Sequence, residues 1–289
     1  MKNGLIGIDH AILSVPDLDE ARMAWTRLGF SLSPRGRHLG LATGNYCILF
    51  ERDYIELLGI ADPGGEVGQL GRFLRVEGLT GIAWATADAD AAVTALSLLG
   101  ITAPPPREIV RQIELEDESA LLRFRVFPLP EEAVAGVAGV VCQHLTPESL
   151  RQPVWMAHKN GAVGIAGITV VVEDTGPLVP VLERLFGPGN VTLTNRVLSV
   201  RCGRHSLTFV PPEDFSLLYP EIEPAVREMP FLAALHLETA DPAVTEGYFT
   251  DWQIPFFELA GGTLVIPPEQ ANRTVLEFSP QRPSIGSGG

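Results

Sequence analysis

The chain has 289 residues, of which 46% are hydrophobic and 19% charged, and its formal net charge is −14 at pH 7. This composition predicts a globular protein with a sizeable core. The negative charge argues against nucleic acid or an anionic membrane as a partner. No apolar run is long enough for a membrane span, and the start lacks a secretory signal. The cysteines Cys47, Cys142 and Cys202 are widely spaced, which favours free thiols in a cytoplasmic protein.

A pattern of one strand, one helix and three further strands recurs about every 70 to 80 residues, which predicts four βαβββ modules. Module one opens with an alternating apolar strand at residues 7–15. A helix follows at residues 20–28, capped by Asp17 or Asp19 and ended by Gly29. The remaining strands of this module are expected near residues 40–43, 46–50 and 54–59.

Modules two, three and four open at Gly81, Gly164 and Ala233. Module two contains an additional segment at residues 104–118, rich in proline and charge, for which a loop is expected. The predicted organisation is a first domain of modules one and two, a linker, a more degenerate second domain of modules three and four, and a disordered tail. The corresponding boundaries are 1–150, 151–163, 164–280 and 281–289.

The expected fold class is α+β, with the modules paired into two cup-shaped half-barrels. A sheet of four strands that is half exposed must bury its other face on a partner, and two such sheets can close around a shared cleft. We favour the pairing of module one with module two, because neighbours in sequence usually pair in space. A pairing of module one with module four is the alternative.

Histidine and carboxylate side chains recur at equivalent positions of the predicted strands. His10 lies in the first strand of module one and Glu56 in its last strand, and module four carries His236 and Glu277 at the same places. His144 occupies the last strand of module two. A polar side chain in an apolar strand either faces solvent or has a buried partner. Their recurrence favours a metal site, because imidazole and carboxylate bind zinc, iron, nickel and manganese.

The segments around these residues resemble the glyoxalase-like branch of the vicinal-oxygen-chelate superfamily, which also contains bleomycin-resistance proteins and extradiol dioxygenases. The resemblance covers residues 7–162 closely and residues 163–280 more loosely. It implies that paired modules form a cup around a divalent metal ion, which chelates vicinal oxygens of a small-molecule substrate. It further implies His10, Glu56 and His144 as the metal ligands. The segments that carry the resemblance are 7–10, 34–38, 54–59, 142–148 and 158–162.

The alternative pairing of modules changes the implied ligand set. Modules one and four together would supply His10, Glu56, His236 and Glu277, which is similar to the four-ligand pattern of glyoxalase I. In module two, Trp84 stands where a fourth ligand is expected. Under the favoured pairing, the residues of module four mark a second, incomplete site or a relic.

Five further residues are candidates for binding the substrate. Arg35, Arg37 and His38 form a basic turn that suits an anionic group, because arginine binds carboxylates in a fork; a solvated loop is the alternative. Trp84 and Trp155 suit the wall of an apolar pocket, although core packing is the usual role of tryptophan.

The expected function is a metal-dependent lyase, isomerase or dioxygenase, in which the metal polarises a carbonyl or hydroxyl group and Glu56 also serves as a base. A metal-free protein of the same fold that binds or sequesters a small molecule is the alternative. The sequence is compatible with a monomer or a homodimer.

Overall fold

The computed structural model describes residues 3–114, 119–223 and 227–281. Its strands form two eight-stranded sheets, and the first sheet closes into a barrel in the order β1-β4-β3-β2-β6-β7-β8-β5. Modules one and two therefore share one sheet. The barrel strands are β1 (Gly7–Ser14), β2 (Gly36–His38), β3 (Thr43–Leu49), β4 (Tyr54–Ile60), β5 (Gly78–Ala85), β6 (Arg107–Glu114), β7 (Ser119–Leu129) and β8 (Gly139–His144).

The second sheet contains modules three and four in the order β10-β11-β12-β9-β13-β16-β15-β14. The predicted α+β class with modules paired in two sheets is thereby confirmed. The strands of this sheet are β9 (Ala162–Val171), β10 (Val191–Thr194), β11 (Val197–Cys202), β12 (His205–Val210), β13 (Phe231–Thr239), β14 (Phe257–Leu259), β15 (Thr263–Ile266) and β16 (Val275–Pro280).

Each module has one helix after its first strand, and three of these helices begin at an aspartate. The Asp17 side chain accepts hydrogen bonds from the backbone N–H groups of Asp19 and Glu20, and Asp88 and Asp241 cap their helices similarly. The helices are α1 (Leu18–Arg27), α2 (Ala89–Leu98), α3 (Pro147–Leu150), α4 (Pro153–Met156), α5 (Val179–Phe186), α6 (Pro212–Leu218) and α7 (Pro242–Asp251).

A single apolar core lies between the two sheets and contains the module helices α1, α2, α5 and α7. Its largest buried side chains come from both halves of the chain. Trp84 of the barrel, for example, packs against Phe186 of α5 with their ring centroids 5.4 Å apart. Burying one large apolar side chain contributes roughly 1.5–3 kcal/mol. The halves are therefore joined by a shared core.

Buried polar contacts also join the two halves. The backbone N–H of Ile8 donates to Nδ1 of His205 at 3.0 Å, so the ring proton is on Nε2, which donates to Asp53 at 3.1 Å. Asp53 also accepts from the backbone N–H of Ile165 at 2.8 Å. These groups are buried and satisfy one another, which fixes how the barrel is placed on the second sheet. His205 is the first residue of strand β12.

The face of the second sheet opposite the shared core is covered by helix α6 and the residues that follow it. Phe215, Tyr219 and Ile222 pack there on Ala234 and Val265. We call this covering segment, residues 212–222, the plug. Because its side chains fill this face, the second sheet differs from the barrel, which encloses a cavity.

Two predicted segments differ from the structure. The strand expected at residues 40–43 lies earlier, at Gly36–His38, where it pairs with both β3 and β6. The loop expected at residues 104–118 is largely strand β6, and residues 115–118 are outside the described part. Strand β6 pairs along its whole length with residues 119–126 of β7, which stabilises it despite its charge. Of the tail predicted to be disordered, only Gln281 is described, and its N–H donates to Thr239.

Candidate active site

The first strand of the barrel contains an irregularity at Asp9. Pairing of β1 with β5 shifts between Ile8 and His10, because Ile8 lies opposite Trp84 while His10 lies opposite the preceding residue, Ala83. Asp9 is thus an additional residue in the ladder, as in a β-bulge. The bulge allows Asp9 and His10, although adjacent in sequence, to belong to the same side-chain cluster.

His10 is held between two carboxylates and an aromatic ring. Its Nδ1–H donates to Asp9 at 2.7 Å, and its Nε2 lies 3.5 Å from Oε2 of Glu56. The imidazole stacks on Tyr54 with the ring centroids 4.3 Å apart. The parallel pairing of β1 with β4 brings these residues together, because it aligns His10 with Tyr54 and Ile12 with Glu56.

The Glu56 carboxylate has a second imidazole on its other side. His38 Nε2 lies 3.8 Å from Oε1 of Glu56, and the amide of Asn45 donates to the same oxygen. His38 Nδ1 lies 2.9 Å from the hydroxyl oxygen of Thr43. In the three-residue strand β2, Gly36 and His38 are buried and Arg37 is exposed. The sequence placed His38 in a basic turn; the structure places it beside Glu56.

The charges of this cluster are set by burial and by these contacts. Burial opposes a charge on His10, but its contacts with Asp9 and Glu56 outweigh burial and raise its pKa to about 9. Burial would raise the pKa of Glu56, yet His10 lowers it to about 2. Burial lowers the pKa of His38, which keeps this imidazole neutral. The cluster thus contains a neutral histidine on one side of an ionised glutamate and a charged one on the other.

His144, the third expected metal ligand, lies on the far side of Asp9. Its Nε2–H donates to the Asp9 carboxylate at 3.0 Å, while its Nδ1 is buried and has no hydrogen-bond partner among the described residues. Asp9, Cys142 and His144 offer donor atoms within 4.8 Å of one another. However, the carboxylate of Asp9 already accepts from both histidines, and burial raises the pKa of the Cys142 thiol well above its usual value. This group is therefore a weaker candidate for binding a metal ion.

The His10–Glu56–His38 cluster faces a cavity of about 340 Å³ inside the barrel. The wall is mostly apolar, and the short helix Gly68–Phe73 covers part of it, where Phe73 packs on Ile12. Arg111 is a buried arginine of this wall, while Arg72 and Arg107 line it from less buried positions. The further apolar lining residues include Leu41, Tyr54, Phe124, Val126 and Phe127.

The other expected substrate-binding residues do not line this cavity. Arg35 and Arg37 form partly exposed ion pairs with Asp19 at 3.5 Å and with Glu114 at 2.6 Å. Trp84 is completely buried in the core between the sheets. Trp155 packs from helix α4 on the cluster that includes Tyr54 and Phe124, outside the cavity lining.

The alternative four-ligand set is not brought together. His236 and Glu277 are paired residues of β13 and β16 in the second sheet, whereas His10 and Glu56 belong to the barrel. His236 Nε2 lies 3.8 Å from Glu277 and 2.8 Å from the hydroxyl of Thr169. Tyr219 of the plug donates to Glu277 at 2.8 Å. These polar groups are thus engaged with one another under the plug.

A divalent metal ion fits the residues that face the cavity. Asp9, Thr43 and Asn45 contact one side-chain atom each of His10, His38 and Glu56, and each of the three has a further nitrogen or oxygen atom on the inner side. Such outer contacts are typical of metal-binding histidines and carboxylates. His10 would release its Nε2 proton on binding the ion. Two imidazoles and one carboxylate form a set that zinc, iron, nickel and manganese accept.

Sequence reasoning missed Asp9 and Arg111 as residues of this site. A bulge has no clear signal in a single sequence, so the alternation rule places Asp9 on the opposite face from His10. Arg111 lies in the segment predicted as a loop. The alternation of Ile109, Arg111 and Ile113 could have indicated a strand with one buried charge.

Comparison with known proteins agrees with this architecture. The sequence model of the glyoxalase-like domain matches residues 8–186, more than half of the chain. The chain therefore belongs to the glyoxalase-like domain family, and its resemblance to the vicinal-oxygen-chelate superfamily is confirmed. A search of curated proteins finds no significant match.

Three solved structures show the same fold at low sequence identity. A hypothetical protein from Staphylococcus aureus is 12% identical with a TM-score of 0.65, over 95% of this chain and 99% of that one. A variant of 4-hydroxymandelate synthase from Streptomyces coelicolor is 12% identical with a TM-score of 0.60, over 99% and 95%. A xylose isomerase-like TIM barrel/4-hydroxyphenylpyruvate dioxygenase fusion protein is 13% identical with a TM-score of 0.51, over 99% and 50%.

Within the described residues, no helix has both the length and the apolar character that a membrane span requires.

Proposed function

We propose that this chain is a metal-dependent enzyme of the glyoxalase-like type, acting on a small molecule with vicinal oxygens as a lyase, isomerase or dioxygenase. The observation that supports this proposal is the convergence of His10, His38 and Glu56 on one side of an apolar cavity. Relatives of the same fold carry the names of a synthase and a dioxygenase. We propose His38 as the third ligand in place of His144, because His38 lies beside Glu56.

The residues of the site have distinct proposed roles. A bound divalent metal ion supplies a Lewis acid that polarises a carbonyl or hydroxyl group of the substrate. Asp9 fixes the tautomer and orientation of His10, and Thr43 does the same for His38. Glu56 can also take a proton from the substrate, since its carboxylate is ionised and faces the cavity. The aromatic wall excludes water, which strengthens electrostatic interactions inside the cavity.

Elemental analysis tests the ligand set. The full-length chain is purified without an affinity metal, and metal content is compared in wild type, His10→Ala, His38→Ala, His144→Ala and Cys142→Ser. We expect near-stoichiometric zinc, iron, nickel or manganese in wild type, in His144→Ala and in Cys142→Ser, and its loss in the other two variants. Far-UV circular dichroism controls for folding.

The opposite pattern of metal loss would identify a different set of metal ligands. Loss of metal in His144→Ala and Cys142→Ser, with retention in His38→Ala, would move the site to the Asp9 group. No metal in wild type, even after divalent ions are added back, would overturn the enzyme proposal.

The identity of the metal then separates the classes of reaction. Iron together with substrate-dependent oxygen uptake supports a dioxygenase, because a site of two histidines and one carboxylate is typical of non-haem iron oxygenases. Zinc or nickel without oxygen uptake supports an isomerase or lyase.

A metal-free binding protein is the second candidate. The observation that favours it is the direct contact of His10 with Glu56, in which each group compensates the charge of the other without a metal ion. Ligand binding that is unaffected by chelators and by the His38→Ala substitution would support this candidate.

A further inference from the structure

Arg111 is a buried cation inside the barrel. Its side chain is on β6 and the residue is only 2% exposed. The guanidinium lies over Phe124, 5.5 Å from the ring centroid, and the aliphatic part passes Gly36. A Cβ atom at Gly36 would lie 2.3 Å from Oδ1 of Asn45 and 3.0 Å from Cδ of Arg111, so the glycine leaves room for both side chains. The chain is thus built to accommodate this charge in the cavity wall.

The hydrogen bonds of Arg111 are incomplete on one defined edge. Nη1 donates to Cys47 Sγ at 3.0 Å, while Nε and Nη2 are buried and have no hydrogen-bond partner in the described part of the chain. Burial raises the pKa of the Cys47 thiol to about 11, so Cys47 remains neutral and does not balance the guanidinium. Leaving charged donors buried and unpaired is strongly unfavourable.

The two free nitrogens have the geometry that carboxylates recognise. Nε and Nη2 lie on the same side of the guanidinium plane, and their N–H groups are parallel, which permits two simultaneous hydrogen bonds to one carboxylate. Arg111 lines the same cavity as His10, His38 and Glu56. We propose that Arg111 is the anchor for the carboxylate of the cavity's ligand, which is a small organic acid with an apolar body.

The rest of the cavity supports a monoanion with an apolar body. Ile12, Phe73 and Phe127 line the wall and would contact a hydrocarbon or aryl group. The Glu56 carboxylate lines the same cavity as Arg111, so a multiply charged anion would meet electrostatic repulsion there. Inorganic phosphate is therefore a poorer ligand than a carboxylate.

The assignment of this organic acid as the substrate rests on the proposed function. Binding of the acid to Arg111 does not rest on the proposed function, because the hydrogen bonds that Arg111 offers require no metal ion. The binding experiment is therefore done on the full-length chain as purified and again after dialysis against a chelator, which separates failure of the carboxylate site from failure of the metal site.

The test uses calorimetric titration with 3-phenylpropanoate, with its neutral isostere 3-phenylpropanamide, and with inorganic phosphate. We expect wild type to bind the carboxylate at least about tenfold more tightly than the amide or phosphate, since a buried charged hydrogen bond contributes that much or more. Arg111→Gln should lose this preference, and Arg111→Lys should retain only part of it, because lysine keeps the charge without the fork. Arg37→Gln is the matched control on the adjacent strand, with its side chain outside.

A second readout is taken on the wild-type chain, and Arg111→Lys serves only to assign the resonance. In wild type, the NMR resonance of the Arg111 Nε–H group, assigned by its absence in Arg111→Lys, should shift on addition of the carboxylate and not of the amide. Equal binding of acid and amide, tighter binding of phosphate, no binding of the acid at millimolar concentration, or an unchanged preference in Arg111→Gln would overturn the inference. Carboxylate binding in a chain that takes up no metal would leave the inference standing and remove the proposed enzyme.

Discussion

Trp84 provides a direct test of where the barrel packs on the second sheet. Its indole is completely buried and lies 5.4 Å from the ring of Phe186, and within the part of the chain that the structure describes its Nε1 has no hydrogen-bond partner. Trp84→Ala removes nearly the whole of this packing and should cost about 3–5 kcal/mol, the usual range for deletion of a large core side chain. Trp84→Phe keeps an aromatic ring and removes a buried, unpaired N–H donor, whose burial alone is unfavourable by about 1–3 kcal/mol. The phenylalanine variant should therefore be much closer to wild type.

The assay is urea unfolding followed by far-UV circular dichroism, with the free energy of unfolding extrapolated to water. Carboxylate binding and metal content are measured on the same variants and should be unchanged, because Trp84 faces the shared core. A Trp84→Ala variant that keeps wild-type stability but binds ligands more weakly would refute this reasoning and return Trp84 to the cavity wall.

Three further substitutions test other parts of the fold. Gly203→Ala should lower the free energy of unfolding by at least about 2 kcal/mol, because Gly203 has a φ of +68° and a Cβ there would lie 2.0 Å from the carbonyl oxygen of Ile6. Gly40→Ala is the control, since Gly40 also has a positive φ but a Cβ there would meet open space. Burial lowers the pKa of His158 to about 4, so protonation of this side chain opposes folding. As the pH falls from 6.5 to 4, the free energy of unfolding of wild type should decrease by at most about 3 kcal/mol relative to His158→Gln. A difference in urea unfolding that does not change with pH would contradict this. Tyr219→Phe should cost about 1.5–3 kcal/mol in thermal or urea unfolding and leave metal content unchanged; a loss of metal would place the plug in the site.

The module pattern was readable from the sequence because each module repeats the same local signals. An alternating strand, an aspartate cap and a glycine at the end of the helix recur, and these signals depend on residues close in sequence. The module pattern therefore needs no knowledge of distant contacts. The expectation that His10 and Glu56 act together came from the repeats and from the resemblance, and the parallel pairing of β1 with β4 accounts for their contact.

The remaining parts of the site depend on long-range pairing. Counting along the repeats matched Trp84 with His10. The bulge at Asp9, however, shifts the register between β1 and β5. As a result, Trp84 faces the core between the sheets, while His10 faces the cavity. His38 and Arg111 are cavity residues only because β2 pairs with β6, which aligns them across the two strands. Charged residues near prolines resemble a loop locally, and the pairing partner that overrides this tendency is far away in sequence.

The plugged sheet has a consequence for any attempt to isolate the barrel. One face of the second sheet is filled by the plug, but its other face supplies half of the apolar layer against which Trp84 and Trp25 are buried. A fragment ending near residue 163 would retain the residues that line the cavity, but Trp25, Trp84 and the rest of its own half of this layer would face water. Such an exposed apolar area favours aggregation. We therefore expect the second half of the chain to keep the barrel in solution by covering this layer.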